Sequence, residues 1–289
     1  MQKWTRKAAA VIAVICLAFG TAGVVMHKWD EMRQEKAQEE LTAQVVGMSE
    51  AGTTGETMPE KKVPEVENEI GETNAIKETE YVSAIDFSAL DFQNPDVVAW
   101  IQIPGTQINY PVVQGKDNDY YLHRDLNGQK STAGTIFLDE NHPMTERTQN
   151  LLLHGHNMKD GTMFGRLAQY EKNLEYLKAH AFIDFSTLWH QERYVIFAVV
   201  DVSLNTSSEN FLDYFAHPRF SSDAEFASYI RRAELASMYA IPMDVKPSDA
   251  LLTLSTCLEE NRLVVIARRQ RDGESKASLR ETVNMAVRQ

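Results

Sequence analysis

Cys257 is the residue with the clearest chemical potential, because it stands between two β-like runs. The run 251–256 precedes it, and a second run starts at Leu263, directly after Arg262. If the two runs pair as a hairpin, the thiol and the guanidinium lie across a short loop from each other. A guanidinium in that place can stabilise a thiolate, or the oxyanion that forms when a thiolate attacks a carbonyl group.

Both residues also have ordinary structural interpretations. A lone cysteine is most often a small buried apolar residue, and Arg262 alone would be interpreted as a cation on an edge strand. The second cysteine, Cys16, lies inside an apolar run, so we expect no disulfide with Cys257, and two cysteines are too few for a cysteine-based zinc site. A thiol with a reference pKa of about 8.5 is mostly protonated at neutral pH, so cysteine catalysis needs an acid or base nearby.

Histidine is the usual partner of such a thiol because it titrates near neutrality. Among the eight histidines, His154 and His156 are best placed, since an apolar run over 151–153 leads into a turn at Gly155. Two histidines at this spacing also suggest a metal pair, but no third ligand falls at a telling distance along the chain. The remaining candidate ligands are only loosely placed: Asp139, Glu140 and His142. The residues alone do not connect either histidine with Cys257.

The elements that must position these side chains are mostly short β-like runs. They fall at 108–113, 134–138, 150–153, 182–184, 194–202, 250–256 and 263–267 and are separated by turn residues such as Asn127-Gly128. Helical patterns cover 163–176 and 222–239, the second with a Ser/Asp start. Many strands with few helices predict a β-barrel or sandwich that carries helices as insertions.

The two ends of this region have helical patterns of their own. Ile85, Leu90, Val97, Val98 and Trp100 suggest one or two short helices that open the domain. At the other end, Ser278 and Glu281 form a possible capping box ahead of a short amphipathic helix in the tail 271–289.

The N-terminal part of the sequence predicts a membrane anchor and a spacer. Cations at Lys3, Arg6 and Lys7 precede an uncharged stretch over 8–26, about long enough to cross a hydrocarbon core of about 30 Å. A cleaved signal peptide is the rival interpretation, since Gly20 and Ala22 suit a cleavage site. The charge pattern places the N-terminus in the cytoplasm and the rest outside. We assign 1–28 to the cytoplasmic tip and anchor.

Residues 29–80 are acidic and poor in aromatic side chains. Fourteen acidic and five basic residues lie between Asp30 and Glu80, so most of the formal net charge of −12 belongs to this segment. Such a composition cannot bury enough apolar surface to offset chain entropy, which predicts a disordered stalk. The negative charge also argues against a nucleic-acid-binding protein.

Five segments together resemble the sortase family, class B. The sequence TLSTC at 253–257 resembles the family's TLxTC signature, and GHNMKDGTMF at 155–164 is similar to the segment of its catalytic histidine. Arg262, before Leu263, is similar to the family's arginine at the start of its last strand. The upstream segments PDVVAWI at 95–101, IPGT at 103–106 and YPVVQG at 110–115 also resemble class B. The likeness runs from about 85 to 269.

The resemblance implies an eight-stranded β-barrel with N-terminal helices and a helix-bearing insertion before the cysteine strand, a catalytic domain that we place at 81–270. It implies that Cys257 attacks the threonine carbonyl of a sorting signal in a secreted protein. His156 then protonates the leaving amine and Arg262 stabilises the oxyanion. The amine of a peptidoglycan precursor (lipid II) or of a pilin resolves the thioester. The scheme needs no metal or other cofactor, and it implies a Gram-positive cell membrane with the catalytic domain outside.

The resemblance also implies a substrate groove. The residues that match groove positions, or lie beside the nucleophile, are Asn118, Leu122, His154, Phe211, Leu212 and Ser255. Core packing is the alternative interpretation of Leu122, Phe211 and Leu212. His154 stands where many class B members carry tyrosine, so a groove contact can differ or gain pH dependence. The loop from Cys257 to Arg262 is short, so the geometry around the thiol can be tight.

Two other functions fit parts of the sequence. A membrane-anchored cysteine protease would share the first half of the reaction and pass the acyl group to water. A non-catalytic, stalked surface-binding module would have the same anchor and stalk and an inert buried thiol. The sequence gives neither the sorting motif, which in class B ranges over NPxTx-like and other pentapeptides, nor the identity of the amine acceptor.

Overall fold

The computed structural model describes residues 94–142, 144, 148–187, 190–209, 211–258 and 260–289, together with Met32 and Lys36. The anchor predicted at 1–28, most of the stalk at 29–80 and the opening helices around Ile85 and Leu90 lie outside these residues. Across the described ranges, no helix combines the length and the apolar character needed to cross a membrane.

A closed barrel of eight strands forms the centre of the described structure. The strands are β1 Val97–Gln102, β2 Asn109–Val113, β3 Phe137–Leu138, β4 Asn150–His154, β5 Phe182–Thr187, β6 Gln191–Val202, β8 Leu251–Leu258 and β9 Asn261–Arg269. They follow one another around the wall in the order β1-β2-β3-β4-β8-β9-β6-β5. The predicted mainly-β, eight-stranded barrel is therefore confirmed.

The strands β8 and β9 pair as the predicted hairpin. Cys257 faces Arg262 in this antiparallel ladder, and Leu258 faces Asn261 at its end. The strand β8 reaches Leu258, so Cys257 lies inside the strand, whereas the sequence pattern placed it just after the strand end. On its other side β8 runs parallel to β4, with His154 opposite Ser255. The hairpin thus fills the position between β4 and β6 in the barrel wall.

A helix-bearing insertion lies between β6 and β8, as predicted. Its helix α3, Asp223–Ala236, begins after Ser222, whose side chain accepts a hydrogen bond from the backbone N–H of Glu225. This is the usual way to satisfy a free donor at a helix start. Phe226 and Ala233 are buried in the main core, and the helix packs against β6.

One helix prediction was wrong, and another holds with an interruption. Val97, Val98 and Trp100 belong to β1, which pairs with β2 and β5, because β-branched and aromatic side chains fit a strand buried between two neighbours. The pattern over 163–176 gives a 3-10 turn, Gly165–Leu167, followed by α1, Ala168–Lys172, and α2, Leu174–Ala179. The break falls at Asn173, which is extended and caps α2 by accepting hydrogen bonds from two backbone N–H groups.

The C-terminal tail packs onto the catalytic barrel. Helix α4, Lys276–Asn284, buries Leu279 and Val283, and the short strand β10, Val287–Arg288, pairs with β7, Tyr239–Ala240. The predicted capping box at Ser278 was wrong. Ser275 is the cap, and its hydroxyl accepts a hydrogen bond from the backbone N–H of Ser278. The helix starts one turn earlier than its apolar pattern suggested.

Candidate active site

Four of the predicted site residues share one face of the barrel wall. Ser255 and Cys257 are two residues apart on β8, so their side chains project to the same side. Arg262 is the cross-strand partner of Cys257, and His154 is the partner of Ser255. Directly opposed residues in an antiparallel pair have Cβ atoms about 4.5–5.5 Å apart. The structure therefore places Cys257 and Arg262 side by side in the ladder.

These side chains differ in exposure, since Ser255 is buried whereas Cys257 reaches the surface. The Cys257 thiol is exposed and free, and Arg262 is half-buried. The Nη1 of Arg262 donates to the carbonyl of Asn261 at 3.2 Å, which holds the guanidinium near its own strand. Cys257 is thus not the small buried residue that a lone cysteine most often is.

His156 lies on the loop that follows β4, and its ring is fixed from one side. Its Nε2 is 2.8 Å from the backbone carbonyl of Leu122. A carbonyl can only accept, so Nε2 carries the proton of this hydrogen bond. In a neutral ring the lone pair then lies on Nδ1, which makes Nδ1 the nitrogen able to take a proton from a thiol or an amine. The His123 ring lies beside it, with centroids 6.3 Å apart.

Three hydrogen bonds join the loop of His156 to the strand of Cys257. The Gly155 N–H donates to the carbonyl of Ser255 at 3.3 Å. The Thr256 hydroxyl donates to the carbonyl of Gly155 at 2.7 Å, and the Asn157 Nδ2 donates to the carbonyl of Cys257 at 2.8 Å. The two segments are about a hundred residues apart in sequence and are adjacent in the structure. These contacts place His156 next to the nucleophile strand.

Asp139 is the centre of a buried polar cluster at the base of this face. It is 3% exposed, and its carboxylate accepts hydrogen bonds from His142 Nδ1 at 3.1 Å and His154 Nε2 at 3.0 Å. The same carboxylate accepts from Asn118 Nδ2 at 2.8 Å and from the backbone N–H of Asn141 at 2.9 Å. Asp139 therefore fixes the orientation of two predicted groove residues, Asn118 and His154.

The charge state of Asp139 follows from these contacts. Burial by itself raises the pKa of a carboxyl group, but the hydrogen bonds from His142, His154 and the Asn141 backbone outweigh it. Together they hold the pKa of Asp139 well below its usual range. Asp139 is therefore an anion at every physiological pH. The Asp139 carboxylate accepts the N–H of both histidines. In the described part of the chain, no group of three or more His, Cys, Asp or Glu side chains is arranged to hold a metal ion.

The three apolar residues predicted for the groove differ in exposure. Leu122 is half-buried and packs against Val113, Tyr121 and Phe137. Phe211 is half-buried, while Leu212 is only 1% exposed and belongs to the main core. Contact of these residues with substrate stays a prediction, as it does for Asn118, His154 and Ser255.

Tyr214 is a further residue at this face. Its hydroxyl is 2.9 Å from the hydroxyl of Ser255, two residues before the nucleophile. Burial raises the pKa of Tyr214 to about 12, so the phenol is neutral at pH 7. Phe215 stacks on the Tyr214 ring with centroids 3.9 Å apart and is itself exposed.

Sequence reasoning did not identify the roles of Asp139, Asn157, Tyr214 and Thr256. Each of them acts through a partner far along the chain, which no local pattern reports. Asp139 was considered only as a loosely placed metal ligand. The sequence signal for a buried role of Asp139 was its position directly after the apolar pair Phe137-Leu138 and three residues before His142. A charged residue that ends a buried strand in this way requires a buried partner.

Comparisons with known proteins agree with this geometry. A family model described as the sortase domain matches residues 101–270. Sortase B of Listeria monocytogenes is 33% identical over 177 residues, which cover 60% of this chain and 69% of the relative. A Staphylococcus aureus sortase B–substrate complex superposes with a TM-score of 0.58 at 28% identity and covers 65% of this chain and 85% of the other. A sortase B complexed with triglycine gives 0.59 at 28% identity, with 65% and 86% covered.

Proposed function

The chain belongs to the sortase family, class B, and from this membership we propose that it is a cell-surface transpeptidase that works through a thioester on Cys257. Sortases are cysteine transpeptidases. One observation carries the proposal for this chain: Cys257 and Arg262 are cross-strand partners, and the loop of His156 is hydrogen-bonded to the strand that holds the thiol. These are the three groups that acyl transfer through a cysteine requires.

In the first step, the Cys257 sulfur attacks the threonine carbonyl of a C-terminal sorting signal. A C–S bond forms, the carbonyl electrons move onto oxygen, and His156 takes the thiol proton. The Arg262 guanidinium, on the residue that pairs with Cys257, stabilises the oxyanion, since donors aimed at developing charge contribute most in a preorganised site. His156 then gives its proton to the amide nitrogen as the C–N bond breaks, which leaves a thioester and a free amine.

In the second step, a primary amine attacks the thioester. His156 takes a proton from the amine, a new amide bond forms, and Cys257 leaves as the thiol group once it regains a proton. A Staphylococcus aureus sortase B binds a substrate and another sortase B binds triglycine. These complexes support a signal peptide as the first partner and an amine as the second. The acceptor is either a peptidoglycan precursor (lipid II) or a pilin lysine.

The groove for the sorting signal runs along the face that carries Cys257 and Ser255. We propose that Leu122 and Phe211 line its sides and that Asn118 and His154, held by Asp139, lie at its base. The stretch at 8–26 anchors the protein in the membrane and places the barrel outside the cell. The acidic residues that follow act as a spacer, because like charges keep such a segment extended.

The test uses the full chain in detergent with a fluorescent NPxTx-type peptide, with and without triglycine. We expect a peptide–triglycine product that depends on the amine. Cys257→Ala and His156→Ala should lower turnover by at least about 10³-fold. Arg262→Lys should lower kcat by about 10²-fold, because a lysine cannot reproduce the planar guanidinium.

The exposed Lys159→Ala on the same loop as His156 is the matched control and should retain wild-type turnover. Peptide cleavage with no amine-dependent product would instead support the cysteine protease. Full turnover in Cys257→Ala would refute any covalent role for this residue.

A further inference from the structure

Asn157 occupies a special place at the end of the parallel pair β4 and β8. The Gly155 N–H donates to the Ser255 carbonyl, as in a continuing parallel ladder. In such a ladder the Gly155 carbonyl would next accept from the Cys257 N–H, and the backbone N–H of residue 157 would then donate to the carbonyl of Cys257. The structure has a different donor there, because the Asn157 side chain supplies its Nδ2 at 2.8 Å.

This substitution of a side chain for the backbone has a geometric consequence for His156. A strand that continued would hold residue 156 in the barrel wall. Because the Asn157 amide completes the ladder, the backbone leaves the sheet after His154, and the His156 ring is able to reach the Leu122 carbonyl. The Asn157 side chain therefore donates to the carbonyl of Cys257, the predicted nucleophile. Its backbone directly follows His156, the predicted acid/base.

The return of the loop is also fixed at this point. Asn157 forms an isolated bridge with Met163, and the Phe164 N–H donates to the His156 carbonyl at 3.0 Å. Met163 has a φ of +51°, which is uncommon for a residue with a side chain. Its backbone N–H donates to the Tyr110 hydroxyl at 3.1 Å, which holds that conformation. Unusual backbone of this kind persists where surrounding contacts determine it, often at functional sites.

We propose that Asn157 is a positioning residue that sets the separation between the His156 imidazole and the Cys257 thiol. This inference rests on the proposed function, in which proton transfer between the two side chains occurs in both steps. Asn157 touches no reacting atom. Its side chain binds the carbonyl of Cys257 and its backbone directly follows His156, so it links the two residues.

The test compares Asn157→Ala and Asn157→Asp with Lys159→Ala on the same loop. The aspartate variant keeps the size of the side chain but replaces the N–H donor by an anionic acceptor, whereas the alanine variant removes the donor without adding charge. A loss of kcat common to both variants therefore reports the hydrogen bond. We expect both Asn157 variants to lower kcat by about ten- to a hundredfold, since a small misplacement of catalytic groups has effects of that size. KM should stay within about twofold, because the groove is not altered.

A second measurement is independent of any peptide. The rate at which iodoacetamide alkylates Cys257, followed across pH, reports how the His156 ring influences the thiol. Asn157→Ala should shift this profile toward that of His156→Ala, and in the His156→Ala background it should change nothing further. Such non-additivity is expected only if Asn157 acts through His156.

The outcomes separate the two proposals. Additive effects of the two substitutions, or wild-type kcat in Asn157→Asp, would overturn the positioning role and leave the transpeptidase intact. An alkylation profile and turnover that His156→Ala leaves unchanged would overturn the proposed function itself. Thermal unfolding of each variant identifies any that lose the fold. If Asn157→Ala loses the fold, Asn157→Asp provides the result.

Discussion

Replacement of Asp139 by asparagine is the substitution for which the structure gives the clearest expected cost. One carboxylate oxygen of Asp139 accepts from His142 and the Asn141 backbone, and the other accepts from His154 and Asn118. An asparagine must present an NH2 group at one of these two positions. The NH2 then faces at least one N–H donor that has no other acceptor to bind.

The consequences differ with the orientation of the new amide. If the NH2 replaces the oxygen beside Asn118, two NH2 groups face each other, and a flip of Asn118 would remove its contact with the Glu140 backbone N–H. If it replaces the other oxygen, it faces the Asn141 backbone N–H. A change of tautomer at His142 offers no escape, because its Nε2 is buried and has no partner among the residues that the structure describes.

The expected loss in unfolding free energy is about 3 kcal/mol, from leaving a buried donor unpaired and breaking a buried charged network. For a domain of this size, that corresponds to a fall of about 6–12 °C in Tm. The exposed Asp272→Asn removes the same charge without these contacts and should change Tm by less than about 2 °C.

The pH dependence of this difference has a definite sign. The folded state holds the pKa of Asp139 well below the value of an unfolded aspartate, about 3.9. A depressed pKa contributes stability that is fully present above the unfolded value and declines as the pH falls below it. The difference between wild type and Asp139→Asn should therefore shrink as the pH falls below about 4.

Urea unfolding followed by circular dichroism at a series of pH values measures this difference directly. Both proteins share every other titrating group, so their subtraction leaves only Asp139 and the two histidines that contact it. A variant as stable as wild type at pH 7 would refute the network argument. A difference that grows as the pH falls below about 4 would refute the charge assignment.

Two further substitutions probe the support around the site. Gly134→Ala places a Cβ 2.6 Å from the Leu122 carbonyl oxygen that holds His156, at a φ of +60°, so we expect about tenfold lower kcat by the peptide assay. Gly273→Ala, at a φ of +82° with open space around it, should show the backbone strain alone and keep wild-type kcat. Tyr214→Phe removes the hydroxyl next to Ser255 and should lower the free energy of unfolding by about 1 kcal/mol in urea titrations, whereas no change would show that this buried contact is not stabilising.

Much of the site could be predicted because its two most informative residues are close in sequence. Cys257 and Arg262 lie on a short hairpin whose apolar strands are evident, and the structure pairs them directly. His156 required the resemblance to a family, since nothing local relates it to a thiol a hundred residues later. Val97 and Trp100 were assigned to a helix because a short apolar run has no clear period, and only pairing with β2 and β5 decides its state.

The contacts that refine the site could not be predicted for a related reason. The side chains of Asn157 and Thr256 form hydrogen bonds between the loop after β4 and the strand β8. Asp139 accepts hydrogen bonds from three separate segments of the chain. Their residue types are common in turns and at strand ends, where local hydrogen bonding is the usual role. Only the register of β4 against β8 shows which distant group each one meets.

The place of β8 and β9 in the barrel bears on the order in which a working enzyme arises. These strands come last of the eight along the chain but sit between two that come earlier, β4 and β6. A polypeptide synthesised from its N-terminus therefore contains His156 long before Cys257 is added. The barrel stays open until the β8–β9 hairpin inserts. Pairing of such distant segments is slow. Acyl chemistry is thereby withheld from partly made molecules, and chains halted before residue 251 should be protease-sensitive and inert.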